Sequence, residues 1–107
     1  MRMTTSAPTR DRTIQLLVGA EGEIRQLGVR RLALFGSVAR GEARPDSDVD
    51  VLVEFAPGQK SFDRFMALSD LLERLLGHRV ELVTVEALSP FIGPHILAEA
   101  ADVLRAA

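Results

Sequence analysis

The sequence predicts a small α/β (α+β) domain in which a mixed β-sheet is flanked by helices. Three short apolar runs alternate with stretches of helical periodicity, in the order α-β-α-β-α-β-α. A whole helix separates the second and third runs, as in a parallel crossover, while the short link between the first two favours an antiparallel pair. With 107 residues and no internal repeat or linker, the chain is expected to form a single domain over residues 1–107.

The composition limits the class of protein. Hydrophobic residues at 47% and charged residues at 26% are typical of a globular chain, and a net charge of −2 argues against direct nucleic-acid binding. No apolar run approaches the ~18 residues that a membrane span needs. Cysteine is absent, which excludes disulfides and thiolate metal sites. The first residues lack the apolar core of a signal peptide, so a cytoplasmic location is expected.

The N-terminal half is predicted to contain two helices and the first strand. Residues 1–8 are polar and expected to be frayed. Residues 9–27 carry a helical pattern that Gly28 ends. Residues 31–35 form the first apolar run, and residues 38–42 can make one or two helical turns. The apolar positions of the first helix are Ile14, Leu17, Val18, Ile24 and Leu27.

The middle of the chain is predicted to contain the second strand and the longest helix. Pro45 disfavours helix before it, and residues 49–55 form the second apolar run. Ser61 can cap the next helix and Gly77 can end it. The predicted apolar face of that helix consists of Phe62, Phe65, Met66, Ser69, Leu72, Leu75 and Leu76.

The last part of the chain is predicted to contain a strand and a helix. Residues 79–85 form the third apolar run. Ser89-Pro90 or Gly93-Pro94 can open a helix that reaches at least Ala100. Residues 102–107 could extend that helix or add a short edge strand, and the sequence does not decide between them.

Three aspartates stand at alternate positions where the second strand begins: Asp46, Asp48 and Asp50. Alternate residues of a strand share a face, about 6.5–7 Å apart, so Asp48 and Asp50 are expected to point the same way. Their repulsion would be relieved by a divalent cation, and two carboxylates plus substrate phosphates are the usual ligands of Mg²⁺. The alternative is a solvated turn, which suits Asp46 best. On spacing alone, the two interpretations of the pair are about equally supported.

Two other motifs do not fit this region. The aspartates match the first ligands of an EF-hand loop, but Val51 and Pro57 occupy the positions that require Gly and Glu. Residues 36–41 begin like a P-loop, but Glu42-Ala43 follow where Lys and Ser or Thr are needed.

The Gly36-Ser37 pair at the end of the first strand could bind phosphate. Glycine lets a backbone approach a ligand closely, amides that enter a helix attract phosphate, and the serine hydroxyl adds a donor. Arg40 on the same short helix could pair with a phosphate. The alternative is an ordinary strand-to-helix turn followed by a solvated arginine.

The predicted topology brings these groups together. Parallel neighbouring strands begin at the same sheet edge, so Glu81, near the start of the third strand, is expected beside Asp48 and Asp50. If the first two strands are antiparallel, the Gly36-Ser37 turn lies at that edge as well. Three acids and a phosphate-type turn would then share one site.

The pattern Gly36-Ser37-x-Ala39-Arg40-Gly41 followed by Ser47-Asp48-x-Asp50 resembles the signature of the DNA polymerase β-like nucleotidyltransferase superfamily. The similarity is greatest to its minimal nucleotidyltransferases, the MNT proteins. The resemblance implies a polymerase β-like palm fold, two Mg²⁺ ions, and transfer of a nucleoside monophosphate from a nucleoside triphosphate, such as AMP from ATP, to a hydroxyl.

The resemblance also implies roles for individual residues. Asp48, Asp50 and Glu81 are the expected catalytic and metal-binding acids, with Glu81 where the family usually has a third aspartate. The expected nucleotide-binding residues are Gly36, Ser37, Arg40 and Ser47.

Many such proteins are antitoxins paired with HEPN-domain RNase toxins, and some add AMP to a tyrosine of the toxin. A HEPN-domain partner is therefore expected. A catalytically silent antitoxin that masks its partner sterically is the alternative. Transfer to a small-molecule hydroxyl is a further one, although relatives of that kind usually carry an additional helical domain.

Overall fold

The computed structural model describes residues 6–105, which form a four-stranded mixed sheet with five α-helices and a short 3₁₀ helix. The helices are α1 (Arg10–Gly19), α2 (Glu21–Gln26), α3 (Gly36–Arg40), α4 (Phe62–Leu76) and α5 (Gly93–Glu99). The strands are β1 (Val29–Phe35), β2 (Val49–Phe55), β3 (Val80–Thr84) and β4 (Ala101–Leu104), and the 3₁₀ helix is Val85–Ala87. The strand order is β3-β2-β1-β4, which confirms the predicted fold class.

The first predicted helix is divided in two. Ala20 leaves the helical conformation (φ −106°, ψ 17°) and separates α1 from α2, in a stretch where Gly19 and Gly22 both disfavour a continuous helix. Leu17 and Ile24 are buried as predicted, whereas Val18 is 47% exposed. The prediction of one continuous helix over residues 9–27 is therefore wrong.

Most of the core lies between one face of the sheet and helices α1 to α4. Its buried members include Leu17 and Ile24 from the helices and Val49, Val51 and Val53 from β2. The alternate residues of the strands point to the opposite face, which we call the α5 face. Its buried residues are Ala33, Phe35 and Leu52, against which Val83, Val85, Leu88, Ile96 and Ala100 pack.

Helix α4 begins and ends where the sequence predicts. The Ser61 hydroxyl accepts a hydrogen bond from the Arg64 backbone N–H at 3.1 Å, and Gly77 adopts φ +70° at the other end. The predicted apolar face is wrong in part, because the buried stripe is centred on Leu68 and Leu72. Phe62 lies about a third of a turn from that stripe and is 76% exposed.

The strand pairings follow the predicted topology. β1 and β2 are antiparallel, with Phe35 opposite Asp50. β2 and β3 are parallel, with Asp50 opposite Glu81. β2 has the predicted bounds, while β1 begins two residues before the predicted Arg31, at Val29.

The C-terminal segment returns to the sheet as an edge strand. β4 pairs antiparallel with β1, with Asp102 opposite Ala33, so of the two alternatives for this segment the strand is present. Helix α5 ends at Glu99 because Ala100 is extended (ψ 133°), which corrects the expectation that the helix includes Ala100. The predicted element order therefore lacked the last strand.

Two expectations concern the chain ends and the membrane. The segment predicted to be frayed, residues 1–8, falls partly outside the described residues, and residues 106–107 are outside them as well. Pro8, which is described, is buried. Across residues 6–105, none of the helices combines the length and hydropathy needed to cross a bilayer.

Candidate active site

At one end of the strands, the C-terminus of β1 lies beside the N-termini of β2 and β3. We call this end of the sheet the acidic edge. Asp50 on β2 is directly opposite both Phe35 on β1 and Glu81 on β3. Residues paired in this way send their side chains to the same face of a sheet. The side chains of Asp50 and Glu81 therefore both emerge on the α5 face, as the sequence predicts.

The surroundings of Asp50 disfavour the charged form of its carboxylate. Its pKa is raised from 3.8 to about 6, mainly because burial disfavours the charged form, and then because Glu81 and Asp48 lie nearby. Asp48 immediately precedes β2 and is exposed, and Glu81 is also exposed. The three acids thus form one electrostatically coupled group with Asp50 at its centre.

The glycine turn after β1 lies directly against Asp50. Gly36 adopts φ +76°, and a Cβ atom built on it would lie 2.0 Å from Asp50 Oδ2. A residue with a side chain would be strained by that φ and would collide with the carboxylate. Asp50 and the predicted phosphate-type turn are therefore in contact.

A fourth carboxylate reaches this turn from the end of α5. The Gly36 N–H donates to Glu99 Oε1 at 2.8 Å, and the Arg40 guanidinium donates to Glu99 Oε2 at 2.8 Å. Arg40 also pairs with Glu42 at 3.0 Å. Sequence reasoning missed Glu99, because it is separated from Gly36 by 63 positions and resembles any solvated helix-end glutamate.

The two predicted serine positions differ in their surroundings. The Ser47 hydroxyl accepts a hydrogen bond from the Arg44 backbone N–H at 2.8 Å, so it holds the turn that precedes Asp48. Ser37 is partly buried in the first turn of α3. Ser47 is thus engaged in local structure, whereas Ser37 lies beside the glycine that contacts Asp50.

The residues at this edge suit a divalent cation, although their side chains are not gathered around one point. Within residues 6–105, no three His, Cys, Asp or Glu side chains converge closely enough to hold one ion. The donors are nevertheless carboxylate oxygens, which Mg²⁺ prefers, and a cation would offset both the burial and the repulsion from Glu81 and Asp48 that raise the pKa of Asp50. Asp48 and Glu81 are exposed, so a rotamer change of either meets little steric resistance.

Asp50→Asn is expected to stabilise the metal-free protein at neutral pH. Because the folded-state pKa of Asp50 is about 6 against 3.8, the folded protein keeps a proton that the unfolded chain loses between those values. Stability therefore falls as the pH rises through this window. Above it, the charge costs about 1 kcal/mol after a discount for solvent screening. Urea unfolding with a chelator should show the variant more stable at pH 7.5, about equal to the parent near pH 4, and Asp46→Asn unchanged.

Comparisons with known proteins agree with this architecture. A family model described as a nucleotidyltransferase domain matches residues 19–103. The protein adenylyltransferase MntA of Thermococcus cleftensis is 44% identical over 85 residues, which cover 78% of this chain and 85% of the relative. A solved structure provisionally identified as a minimal nucleotidyltransferase is 40% identical, covers 86% of this chain and 89% of its own, and has a TM-score of 0.70.

A more distant structure shares the fold. It is a complex of a tri-AMPylated HEPN toxin of Shewanella oneidensis with an MNT antitoxin, and the match has 19% identity and a TM-score of 0.61. The match covers 86% of this chain and 72% of the other. The family model spans most of the sequence, including the acidic edge and the glycine turn. The chain therefore belongs to the nucleotidyltransferase domain family.

Proposed function

We propose that this chain is a Mg²⁺-dependent protein adenylyltransferase that transfers AMP from ATP to a hydroxyl, such as a tyrosine, of a HEPN-domain RNase toxin and thereby acts as its antitoxin. The observation that carries the proposal is the pairing of Asp50 with Glu81, beside a glycine turn that contacts Asp50. The name of the Thermococcus relative, protein adenylyltransferase, supports the reaction. The AMPylated toxin bound to the Shewanella MNT antitoxin supports the acceptor and the partner.

In this proposal the three acids hold the cations together with the triphosphate. Asp48, Asp50 and Glu81 would be the protein ligands of two Mg²⁺ ions. When bound, these would neutralise phosphate charge and lower the pKa of the acceptor hydroxyl. Asp50 is anchored in β2, whereas Asp48 and Glu81 are exposed and so accessible to a ligand. Glu81, the second residue of β3, is exposed, and it is the carboxylate that we expect to take the proton of the acceptor hydroxyl.

The turn at the start of α3 would hold the phosphates. The hydroxyl and the backbone amide of Ser37 can donate hydrogen bonds to phosphate oxygens, whereas the predicted Gly36 amide already donates to Glu99. The acceptor oxygen attacks the α-phosphorus of ATP, a new P–O bond forms, and the bond to pyrophosphate breaks. The electron pair of the broken bond leaves with pyrophosphate. Because the acceptor itself attacks phosphorus, the chain needs no covalent nucleophile. A phosphate that binds Arg40 must compete with Glu42 and Glu99, which already pair with its guanidinium.

The test is AMP transfer to a cognate acceptor. The purified chain is incubated with Mg²⁺, ATP labelled at the α-phosphate and the HEPN-domain protein encoded beside it, and the intact mass of each protein is measured. The proposal predicts one or more AMP additions on the HEPN protein and none when a chelator is present.

Catalytically silent masking is the second candidate, and Glu81 in place of the family's usual aspartate favours it. Stable binding of the HEPN protein, with loss of its RNase activity and no AMP added, would support masking and contradict the transferase proposal.

A further inference from the structure

We infer that Glu99, at the end of α5, is a positioning residue for the nucleotide site, because its carboxylate accepts hydrogen bonds from both ends of α3. The consequence for catalysis rests on the proposed function, whereas the structural part does not. Gly36 is the first residue of α3 and Arg40 is the last. Glu99 accepts a hydrogen bond from each of them at 2.8 Å, one on each carboxylate oxygen.

Helix α3 needs support from the rest of the fold. It has five residues, and a helix that short is not stable through its own hydrogen bonds. It begins with Gly36, the residue type with the greatest backbone freedom, in a left-handed conformation (φ +76°). Val38 is fully buried and fixes the middle of the helix, but it does not fix the amide of the first residue or the guanidinium of the last. The two bonds to Glu99 supply those constraints.

Glu99 is itself held firmly on both sides. The Ala100 N–H closes α5 by donating to the Ile96 carbonyl at 2.9 Å. The next residue, Ala101, begins β4 opposite Leu34 of β1. Ile96 and Ala100 pack on the buried cluster of the α5 face. Because the backbone on each side of Glu99 is anchored, fixing α3 through its carboxylate costs side-chain entropy but little further backbone entropy.

The charge of Glu99 is maintained at neutral pH. The hydrogen bond from the Gly36 N–H, followed by the pairing with Arg40, lowers the pKa of this carboxyl group. The Gly36 N–H already donates to Glu99, whereas the Ser37 hydroxyl remains available to donate to a phosphate. Its role is therefore to hold the turn against Asp50 in the conformation that presents Ser37, without itself contacting the reacting atoms.

Glu42 provides a matched control. It pairs with the same guanidinium, from Arg40 Nε at 3.0 Å, but the Gly36 amide donates to Glu99. Glu42→Ala removes one carboxylate from Arg40 and leaves both bonds of Glu99 in place. Glu99→Ala removes the bridge, and Glu99→Gln keeps an oxygen that can accept from Gly36 while it loses the ion pair.

The experiment compares these three variants by steady-state kinetics and by amide hydrogen exchange without nucleotide. Glu99→Ala is expected to raise the KM for ATP about tenfold with a smaller change in kcat, because it loosens a ground-state binding element. The Gly36 and Ser37 amides should exchange faster in that variant. Glu99→Gln should lie between Glu99→Ala and the parent, and Glu42→Ala should stay within about twofold of the parent.

The outcomes separate this inference from the proposed function. Unchanged exchange at Gly36 and Ser37 in Glu99→Ala would overturn the inference, whether or not the chain transfers AMP. A lower KM for ATP in that variant would also overturn it, since Glu99 would then compete with phosphate. A parent protein that transfers no AMP would contradict the proposed function, and hydrogen exchange would still decide whether Glu99 holds the turn.

Discussion

Replacing Asp48 or Asp50 by asparagine is expected to reduce AMP transfer by about a thousandfold or more while the chain stays folded. The neutral carboxamide keeps the shape of the side chain but loses the negative charge that would bind the cation. Asp48 is exposed, and the charge of Asp50 already destabilises the metal-free fold, so neither substitution should prevent folding. Transfer rates and circular dichroism on the same samples separate the two effects.

Asp46→Asn is the matched control for this prediction. Asp46 belongs to the same alternating run but lies in the exposed turn before β2. Asp46→Asn changes the net charge by the same amount as Asp48→Asn, two positions along the chain. It should leave the rate of AMP transfer within about twofold of the parent. Rates close to those of the parent in both Asp48→Asn and Asp50→Asn would refute the assignment of these acids to the metal.

Gly36→Ala is expected to damage both stability and activity. The new Cβ atom would lie 2.0 Å from Asp50 Oδ2, on a residue whose φ is +76°. The backbone conformation alone costs about 1–2 kcal/mol for an L-residue, and the collision requires either the turn or Asp50 to move. Because a displacement of about 1 Å at a catalytic group can cost about a hundredfold in rate, transfer should fall by at least that factor.

Gly58→Ala isolates the contribution of the backbone strain. Gly58 has nearly the same φ, +75°, but nothing lies within 4 Å of a Cβ built there. Urea unfolding should show a loss of about 1 kcal/mol for this variant, with transfer unchanged. If Gly36→Ala lost no more activity than Gly58→Ala, the close approach of the turn to Asp50 would not matter for the reaction.

The sheet and the placing of the candidate site residues at one end of its strands could be predicted because they depend on local patterns and on chain topology. The apolar run 49–55 is bounded by a charged turn on one side and by Pro57-Gly58 on the other, so its ends are well marked. A complete helix between β2 and β3 is the connection that a parallel pair requires, and the two strands are parallel. That arrangement alone places Glu81 and Asp50 at the same edge.

Features that depend on tertiary contacts could not be predicted in the same way. The bridge from Glu99 to Gly36 joins residues that no local pattern relates. β4 has four residues, and its sequence suits a helix end as well as a strand until β1 offers an edge to pair with. The exposure of Phe62 depends on which stripe of α4 faces the sheet, and neighbouring apolar positions left that choice open.

Locating the metal would test most directly whether the three acids bind it. Crystals grown with Mn²⁺ and a non-hydrolysable ATP analogue would show the cations through their anomalous scattering. We expect metal between the carboxylates of Asp48 and Asp50, with the side chain of Glu81 directed towards it and the triphosphate beside Ser37. Metal bound by the triphosphate alone, away from these acids, or a Glu81 side chain directed away from the metal, would contradict this expectation.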